Sequence, residues 1–201
     1  KIRDAEIELL KKMEIRCPEY DGKRYVYSAE NYNLELYLAK KLIQLDKNCE
    51  RLSGEDTEKL ISLIEREESI SYAPLQKKAL FEALSGGIMV LTGGPGTGKT
   101  TIIRALLRIF ANMGLDIALA APTGRAAKRM SEATSYEAKT IHRMLEMDYK
   151  EGGEGQFCRD ERNMLDEDVL IIDESSMIDL VLMTALVKAI RPGARLILIG
   201  D

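Results

Sequence analysis

Apolar residues occur along this chain in two kinds of pattern, and the order of those patterns predicts the fold class. Short apolar runs predict buried strands at 88–91, 116–121, 169–172 and 196–199. Apolar positions spaced three and four apart, together with turn signals, predict helices at 4–15, 29–46, 55–68, 74–84, 101–111, 126–133, 140–145 and 177–190. An extended piece is predicted at 24–27, and a small hairpin or mobile loop at 147–150 and 156–159. Because helices alternate with strands after residue 74, we expect an α/β fold with a mostly parallel sheet, preceded by a small helical region.

The first 70 residues form one compositional block without recognisable chemistry. We expect its helix at 29–46 to be buried on more than one side, because Leu36 and Ile43 flank the main apolar stripe. We expect Leu63 of the following helix to face inward. The predicted domains are a mainly helical region at 1–70 and an α/β domain at 71–201.

A glycine-rich string, GGPGTGKT at residues 93–100, fills every fixed position of the phosphate-binding loop G-x-x-x-x-G-K-[ST]. It lies between a predicted strand and a helix N-terminus, where backbone N–H groups and the helix dipole favour phosphate. Lys99 would reach the β- and γ-phosphates of a nucleotide, and the Thr100 hydroxyl would bind Mg²⁺. The loop residues that would surround the phosphates are Gly94, Pro95, Gly96, Thr97 and Gly98. A glycine-rich turn without a ligand is the weaker interpretation, because strand, helix and GKT occur together.

Two acidic residues come directly after the strand at 169–172. In phosphate-loop nucleotide hydrolases such a strand delivers one acid to Mg²⁺ and a second acid to the attacking water. Asp173 would take the first role and Glu174 the second. Acidic residues that merely cap a strand are the alternative, and the upstream phosphate loop makes that alternative weak.

The densest basic segment of the chain comes after the strand at 116–121. Arg125 comes just before the next predicted helix, Lys128 and Arg129 lie in that helix, and Lys139 and Arg143 come soon after. These charges either belong to a solvated helix face or contact a nucleic-acid backbone. The second interpretation places them at the carboxyl end of a strand, where open α/β sheets bind their ligands.

Composition limits the other classes of function. The chain has 201 residues, 45% of them hydrophobic, and a formal charge of −4, so any nucleic-acid site is a local patch rather than the whole surface. The three cysteines, Cys17, Cys49 and Cys158, are far apart, and with a single histidine they assemble no zinc ligand set. No apolar run is long enough to cross a bilayer, so we expect no membrane contact and a cytoplasmic location.

Five strings occur in the order found in one known family: GGPGTGKTT, APTGRAAKRM, TIHRML, LIIDESSMID and a terminal Gly-Asp. With them the sequence resembles the RecD-like superfamily 1 DNA helicases, the group that contains the exodeoxyribonuclease V alpha subunit. The resemblance implies a RecA-like phosphate-loop domain that uses ATP and Mg²⁺ and moves 5′ to 3′ on single-stranded DNA. It also implies a second RecA-like domain, other helicase–nuclease subunits as possible partners, and work in DNA recombination and repair.

The resemblance assigns further site residues. Gln76 falls where the family reads adenine, and Thr101 extends the phosphate loop. Gly200 and Asp201 open the motif that couples ATP to DNA. The residues implied to contact DNA are Pro122, Thr123, Arg125 and His142.

Both ends of the chain influence the expected function. It begins at Lys1 without a methionine and stops just after a predicted strand, so we expect a piece of a longer protein. The family's second domain supplies an arginine to the transferring phosphoryl group, so we expect this piece alone to be nearly inactive. Two alternatives stay open: a phosphate-loop switch or assembly factor without a nucleic-acid track, and a docking module in which residues 1–69 hold a partner.

Overall fold

The computed structural model describes residues 2–94, 96–148 and 155–200. The first part is helical with two small antiparallel ladders. Its elements are α1 (Ile2–Lys11), β1 (Ile15–Arg16), β2 (Glu19–Tyr20), β3 (Lys23–Arg24), β4 (Tyr27–Ser28), α2 (Ala29–Asn48) and α3 (Gly54–Glu67). β1 pairs with β4, and β2 pairs with β3.

The second part alternates helices and strands. Its elements are α4 (Pro74–Ser85), β5 (Ile88–Thr92), α5 (Lys99–Asn112), β6 (Ile117–Ala121), α6 (Gly124–Thr134), β7 (Ala138–Thr140), α7 (Ile141–Met144), β8 (Met147–Asp148), β9 (Gln156–Phe157), β10 (Val169–Ile172), a 3₁₀ helix (Ser175–Met177), α8 (Leu180–Ala189) and β11 (Arg195–Gly200).

Five of these strands form one sheet in the order β5-β11-β10-β6-β7, and every neighbouring pair is parallel. The predicted α/β class with a parallel sheet is therefore confirmed. All five strands finish at the same edge, which we call the carboxyl edge, and begin at the opposite amino edge. Every residue that comes immediately after a strand is thus delivered to one side of the molecule.

The sheet is covered on both faces, and its central strand shows this most clearly. All four residues of β10 are buried; Val169 and Ile171 face one core, while Leu170 and Ile172 face the other. The first core is completed by α3, α4 and α5, and the second by α2 and α8. Helices α2 and α3 of the first block therefore cover opposite faces of the sheet. The domain boundary at residue 70 stays a prediction.

The burial expected for the first block is partly wrong. Leu36 and Ile43 are 44% and 56% exposed, because α2 packs on α8 along one side only. Leu63 is also exposed, and Ile61 and Ile64 carry the inward side of α3 instead.

Several elements differ from those expected. The helix predicted at 4–15 ends at Lys11, and Ile15 belongs to β1 instead. The predicted extended piece at 24–27 is divided between β3 and β4. Helix α8 begins at Leu180 rather than at 177, because the Asp179 carboxylate accepts a hydrogen bond from the Leu182 N–H (2.7 Å) and caps the helix there. Strand β7 was not predicted.

The expected hairpin is present as the antiparallel pair β8–β9, in which Met147 lies opposite Phe157. The part of the predicted hairpin at 149–154 lies outside the described residues. Across the described ranges, no helix is both long and apolar enough to span a bilayer.

Candidate functional site

The phosphate-binding loop connects the end of β5 to the start of α5 with a backbone that requires glycine. Gly96 and Gly98 have φ angles of +76° and +90°, a region that residues with a Cβ rarely adopt. Gly98 is the N-cap of α5 and has no side chain to cap its first turn, so the helix begins directly at the loop. The Thr97 hydroxyl donates to the Gly94 carbonyl (2.9 Å) and closes the turn. Pro95 lies outside the described residues.

The loop lysine points back over this turn. The Lys99 ammonium donates to the Gly93 carbonyl oxygen and is partly buried. A primary ammonium has three donors, so this contact leaves it able to bind a phosphate as well.

The predicted phosphate and acid residues line one cavity of about 380 Å³ at the carboxyl edge. They enter it from three strands, β5, β10 and β11. The lining residues are Gly94, Gly96, Thr97, Gly98, Lys99, Thr100, Ile103, Arg129, Asp173, Glu174 and Gly200. A smaller adjoining cavity of about 100 Å³ shares Thr100, Ile103, Arg129 and both acids. Other cavities of similar size lie between α3 and α4 and beside β5, but neither brings a cation and an acid pair together at a glycine loop.

The acid pair is held by the backbone of β10. The Asp173 N–H donates to the Ala120 carbonyl (2.9 Å) and so continues the ladder to β6 by one residue. Glu174 then adopts φ +53° and ψ +38°, a left-handed conformation that is uncommon for a residue with a side chain. Such conformations persist where the surroundings enforce them, often at functional sites.

The residues after Glu174 pack on the end of β11. A Cβ added to Gly200 would lie 3.1 Å from the Ser175 hydroxyl oxygen and 3.3 Å from the Ser176 nitrogen. The 3₁₀ helix after Glu174 thus packs directly on the end of this strand, without room for a side chain. Asp201 lies outside the described residues.

Gln76 lies beside the loop rather than in the cavity lining. Its carbonyl oxygen accepts from the Ala73 N–H (3.0 Å), which caps α4, and its amide nitrogen packs against Gly98. Thr101 is exposed on the first turn of α5 and is likewise not among the cavity-lining residues.

The four residues implied to contact DNA lie at the carboxyl edge, after β6 and β7, and are not among the cavity-lining residues. Pro122 and Thr123 come after β6, and the Thr123 hydroxyl accepts from the Ala126 N–H (3.2 Å) and caps α6. Arg125 is exposed on the first turn of that helix. His142 comes after β7, and its ring packs on Phe157 with 5.8 Å between ring centroids.

Sequence reasoning missed Arg129 as a cavity residue and grouped it with the DNA surface. A signal was available in the helical spacing, because Ala126, Met130 and Ala133 line the smaller cavity together with Arg129. The direction of this face depends on how α6 packs against α5, which the local sequence does not reveal.

Comparison with known proteins gives a family and several relatives. Residues 76–201 match the family model described as "AAA domain". RecBCD enzyme subunit RecD of Mycobacterium tuberculosis is 44% identical over 149 residues, covering 63% of this chain and 25% of that protein. ATP-dependent RecD2 DNA helicase of Deinococcus radiodurans is 41% identical over 127 residues, covering 63% of this chain and 17% of that protein.

One relative also aligns with much of the first block. RecBCD enzyme subunit RecD of Buchnera aphidicola subsp. Schizaphis graminum is 31% identical over 198 residues, covering 87% of this chain and 32% of that protein. The chain thus spans a third or less of the length of each of these three relatives.

Proposed function

Since this chain belongs to the AAA domain family and is related to the RecD-like DNA helicases, we propose that it is the ATP- and DNA-binding part of a helicase motor. ATP with Mg²⁺ binds in the cavity at the carboxyl edge, and single-stranded DNA binds beside it. The observation that carries this proposal is that Lys99 and Thr100 line the same cavity as Asp173 and Glu174.

The cavity residues divide the chemistry of ATP hydrolysis among them. Lys99 and the loop N–H groups neutralise the β- and γ-phosphates, and Gln76 reads the adenine edge once its amide reorients. Glu174 takes a proton from a water molecule while the oxygen of that water attacks the γ-phosphorus. The bond between the γ-phosphorus and the bridging oxygen of the β-phosphate breaks in the same reaction. Inorganic phosphate and ADP are the products.

The donor set fits magnesium. The Thr100 hydroxyl and the Asp173 carboxylate are hard oxygen ligands in one cavity, which Mg²⁺ prefers, and the remaining positions would be filled by water and phosphate oxygens. When bound, the ion supplies positive charge to the phosphates and favours departure of the ADP oxygen.

The DNA strand runs along the carboxyl edge past α6 and α7. Arg125 contacts a phosphate, and Pro122, Thr123 and His142 form the surface on which the strand lies. In the whole protein, ATP would close this domain on a second RecA-like domain and hydrolysis would reopen it, with 5′-to-3′ travel and work in DNA recombination or repair. Other helicase–nuclease subunits are candidate partners, as the name of the M. tuberculosis relative suggests.

Thermal unfolding of the 201-residue chain tests nucleotide binding. ATP with Mg²⁺ should raise the melting temperature, because a ligand that binds only the folded state stabilises it. Turnover by this chain should be slow, about a thousandfold or more below that of a complete motor, because a charge from a second domain is required. A chain whose melting temperature does not respond to ATP would contradict the proposal.

The salt dependence of DNA binding tests the proposed site for single-stranded DNA. Arg125→Ala should weaken single-stranded DNA binding and lower the slope of log affinity against log salt by about one. If single-stranded DNA leaves ATP turnover of the complete protein unchanged, that result would favour a switch or assembly factor instead.

A further inference from the structure

An arginine that sequence reasoning placed on the DNA surface belongs to the wall of the nucleotide cavity. Arg129 lines both the cavity of about 380 Å³ and its smaller neighbour, together with Thr100, Asp173 and Glu174. The shared residues are those assigned to Mg²⁺ and to the attacking water. Arg129 therefore lies on the side of the cavity where the terminal phosphate of ATP reacts.

The packing of α6 keeps this side chain in place. Ala126 and Met130, on the same helix as Arg129, are buried. At the far end of the helix, the Arg104 guanidinium of α5 donates to the Ala133 carbonyl (2.7 Å). Because α5 begins at the phosphate loop, this bond and the buried side chains hold the backbone of α6 against α5, and the exposed Arg129 side chain extends from it.

The charge of Arg129 is available to a ligand. Among the residues that the structure describes, its guanidinium forms no ion pair, although two carboxylates line the same cavity. Its neighbour Lys128 instead faces away and approaches Glu132 at 3.9 Å. A guanidinium presents its donors as a planar fork that matches two phosphate oxygens, so it suits a terminal phosphate.

We propose that Arg129 binds the γ-phosphate of ATP and thereby makes α6 the element that links nucleotide state to the DNA surface. This inference rests on the proposed function. Arg125 lies one turn earlier on the same helix, so one rigid element would contact a nucleotide phosphate at Arg129 and a DNA phosphate at Arg125. Loss of the γ-phosphate would release the Arg129 end of the helix and change how Arg125 meets the strand.

The test compares affinities for a non-hydrolysable ATP analogue and for ADP, both with Mg²⁺, in the 201-residue chain. Arg129→Ala should weaken binding of the analogue by about tenfold to a hundredfold and leave ADP binding unchanged, because only the analogue carries a γ-phosphate. Arg129→Lys should lie between, since it keeps the charge and loses the fork. Lys128→Ala, on the same helix but directed toward Glu132, should change neither affinity.

The outcomes separate the inference from the proposed function. If Lys99→Ala abolishes binding but Arg129→Ala keeps the wild-type ratio of the two affinities, the proposed function stands and Arg129 does not bind the γ-phosphate. Equal weakening of both nucleotides would likewise overturn the inference. A wild-type chain that binds neither nucleotide would overturn both. Circular dichroism and the melting temperature without nucleotide check that each variant is folded.

Discussion

The two edges of the sheet carry similar charged residue types, but those residues make different kinds of contact. At the amino edge, charged side chains bond to other parts of the protein. The Asp46 carboxylate accepts a hydrogen bond from the Gly87 N–H (3.0 Å), and the Asp168 carboxylate accepts one from the Asp116 N–H (2.9 Å). The Arg191 guanidinium pairs with the same Asp168.

At the carboxyl edge, acidic and basic side chains surround a cavity and a glycine loop instead. The loop has positive φ angles at Gly96 and Gly98, and α5 begins directly after it. The comparison indicates that changes at the amino edge should alter stability, and that changes at the carboxyl edge should alter binding.

The largest expected effect is that of Lys99→Ala at the carboxyl edge. It should abolish the rise in melting temperature with ATP and Mg²⁺, a stabilisation of about 3 kcal/mol at a ligand concentration of about a hundred times Kd. Without ligand the variant should melt close to the wild type. Lys128→Ala is the control, because among the described residues that exposed lysine has just one long contact, to Glu132. An unchanged shift in Lys99→Ala would place the phosphate site elsewhere.

A pair of glycine substitutions compares the two edges directly. At Gly87 an added Cβ would lie 2.7 Å from the Cys49 Cβ and 2.8 Å from the Asp46 Cα, so α2 must move. Gly87→Ala should therefore lower the free energy of unfolding by about 1–3 kcal/mol. A Cβ added to Gly94 would have no atom within 4 Å, so Gly94→Ala should melt like the wild type. Because Gly94 lines the nucleotide cavity, the variant should nevertheless bind ATP more weakly.

Denaturant unfolding with nucleotide titration measures both quantities for this pair. If Gly94→Ala lowered the free energy of unfolding more than Gly87→Ala, the assignment of stability to the amino edge and binding to the carboxyl edge would be wrong.

A smaller loss is expected at Asp168. Asp168→Ala removes the acceptor of the Asp116 N–H and the partner of Arg191, and it should lower the unfolding free energy by about 1–2 kcal/mol. Asp166→Ala, two residues away, is the matched control, because that side chain is almost fully exposed. Urea titration with equal losses for both variants would contradict a specific role for Asp168.

The smallest effect concerns the junction between α3 and the start of α4. The Lys77 ammonium and then the Tyr72 N–H donate to Glu65 and lower the pKa of its carboxyl group. Because the folded-state pKa is below the ordinary 4.5, this stabilisation is present above that pH and is lost as the pH falls through the lowered value.

Glu65→Gln should therefore cost about 0.5 kcal/mol at neutral pH and less in acid. Nucleotide affinity should not change. Unfolding free energies measured from about pH 3 to 7 check this, and a loss that grows toward low pH would have the wrong sign.

Much of the fold and of the cavity could be predicted from local sequence. The phosphate loop and the acid pair each come after an apolar strand, and parallel strands that finish at one edge bring the residues after them together. The proximity of the phosphate loop and the acid pair could therefore be predicted without any long-range distance.

The features that were missed depend on neighbours that are distant in the chain. Strand β7 has three residues with Lys139 exposed at its centre, too short and too polar to show a strand pattern. The side of α6 that carries Arg129 is decided by its packing on β7, β6 and α5, and the exposed side of α2 is decided by α8. Periodicity shows that a helix has an apolar side, but not how many neighbours will cover it.

The position of α2 and α3 on opposite faces of the sheet affects how partners of the first 70 residues should be sought. A truncated protein that starts at residue 71 would bare Leu186 on one face and Leu80 on the other, and such surfaces promote aggregation. Capture experiments with that truncation would report on misfolding. Polar replacements of Leu36 and Ile43 probe the solvent side of α2 while the interior of the protein stays intact.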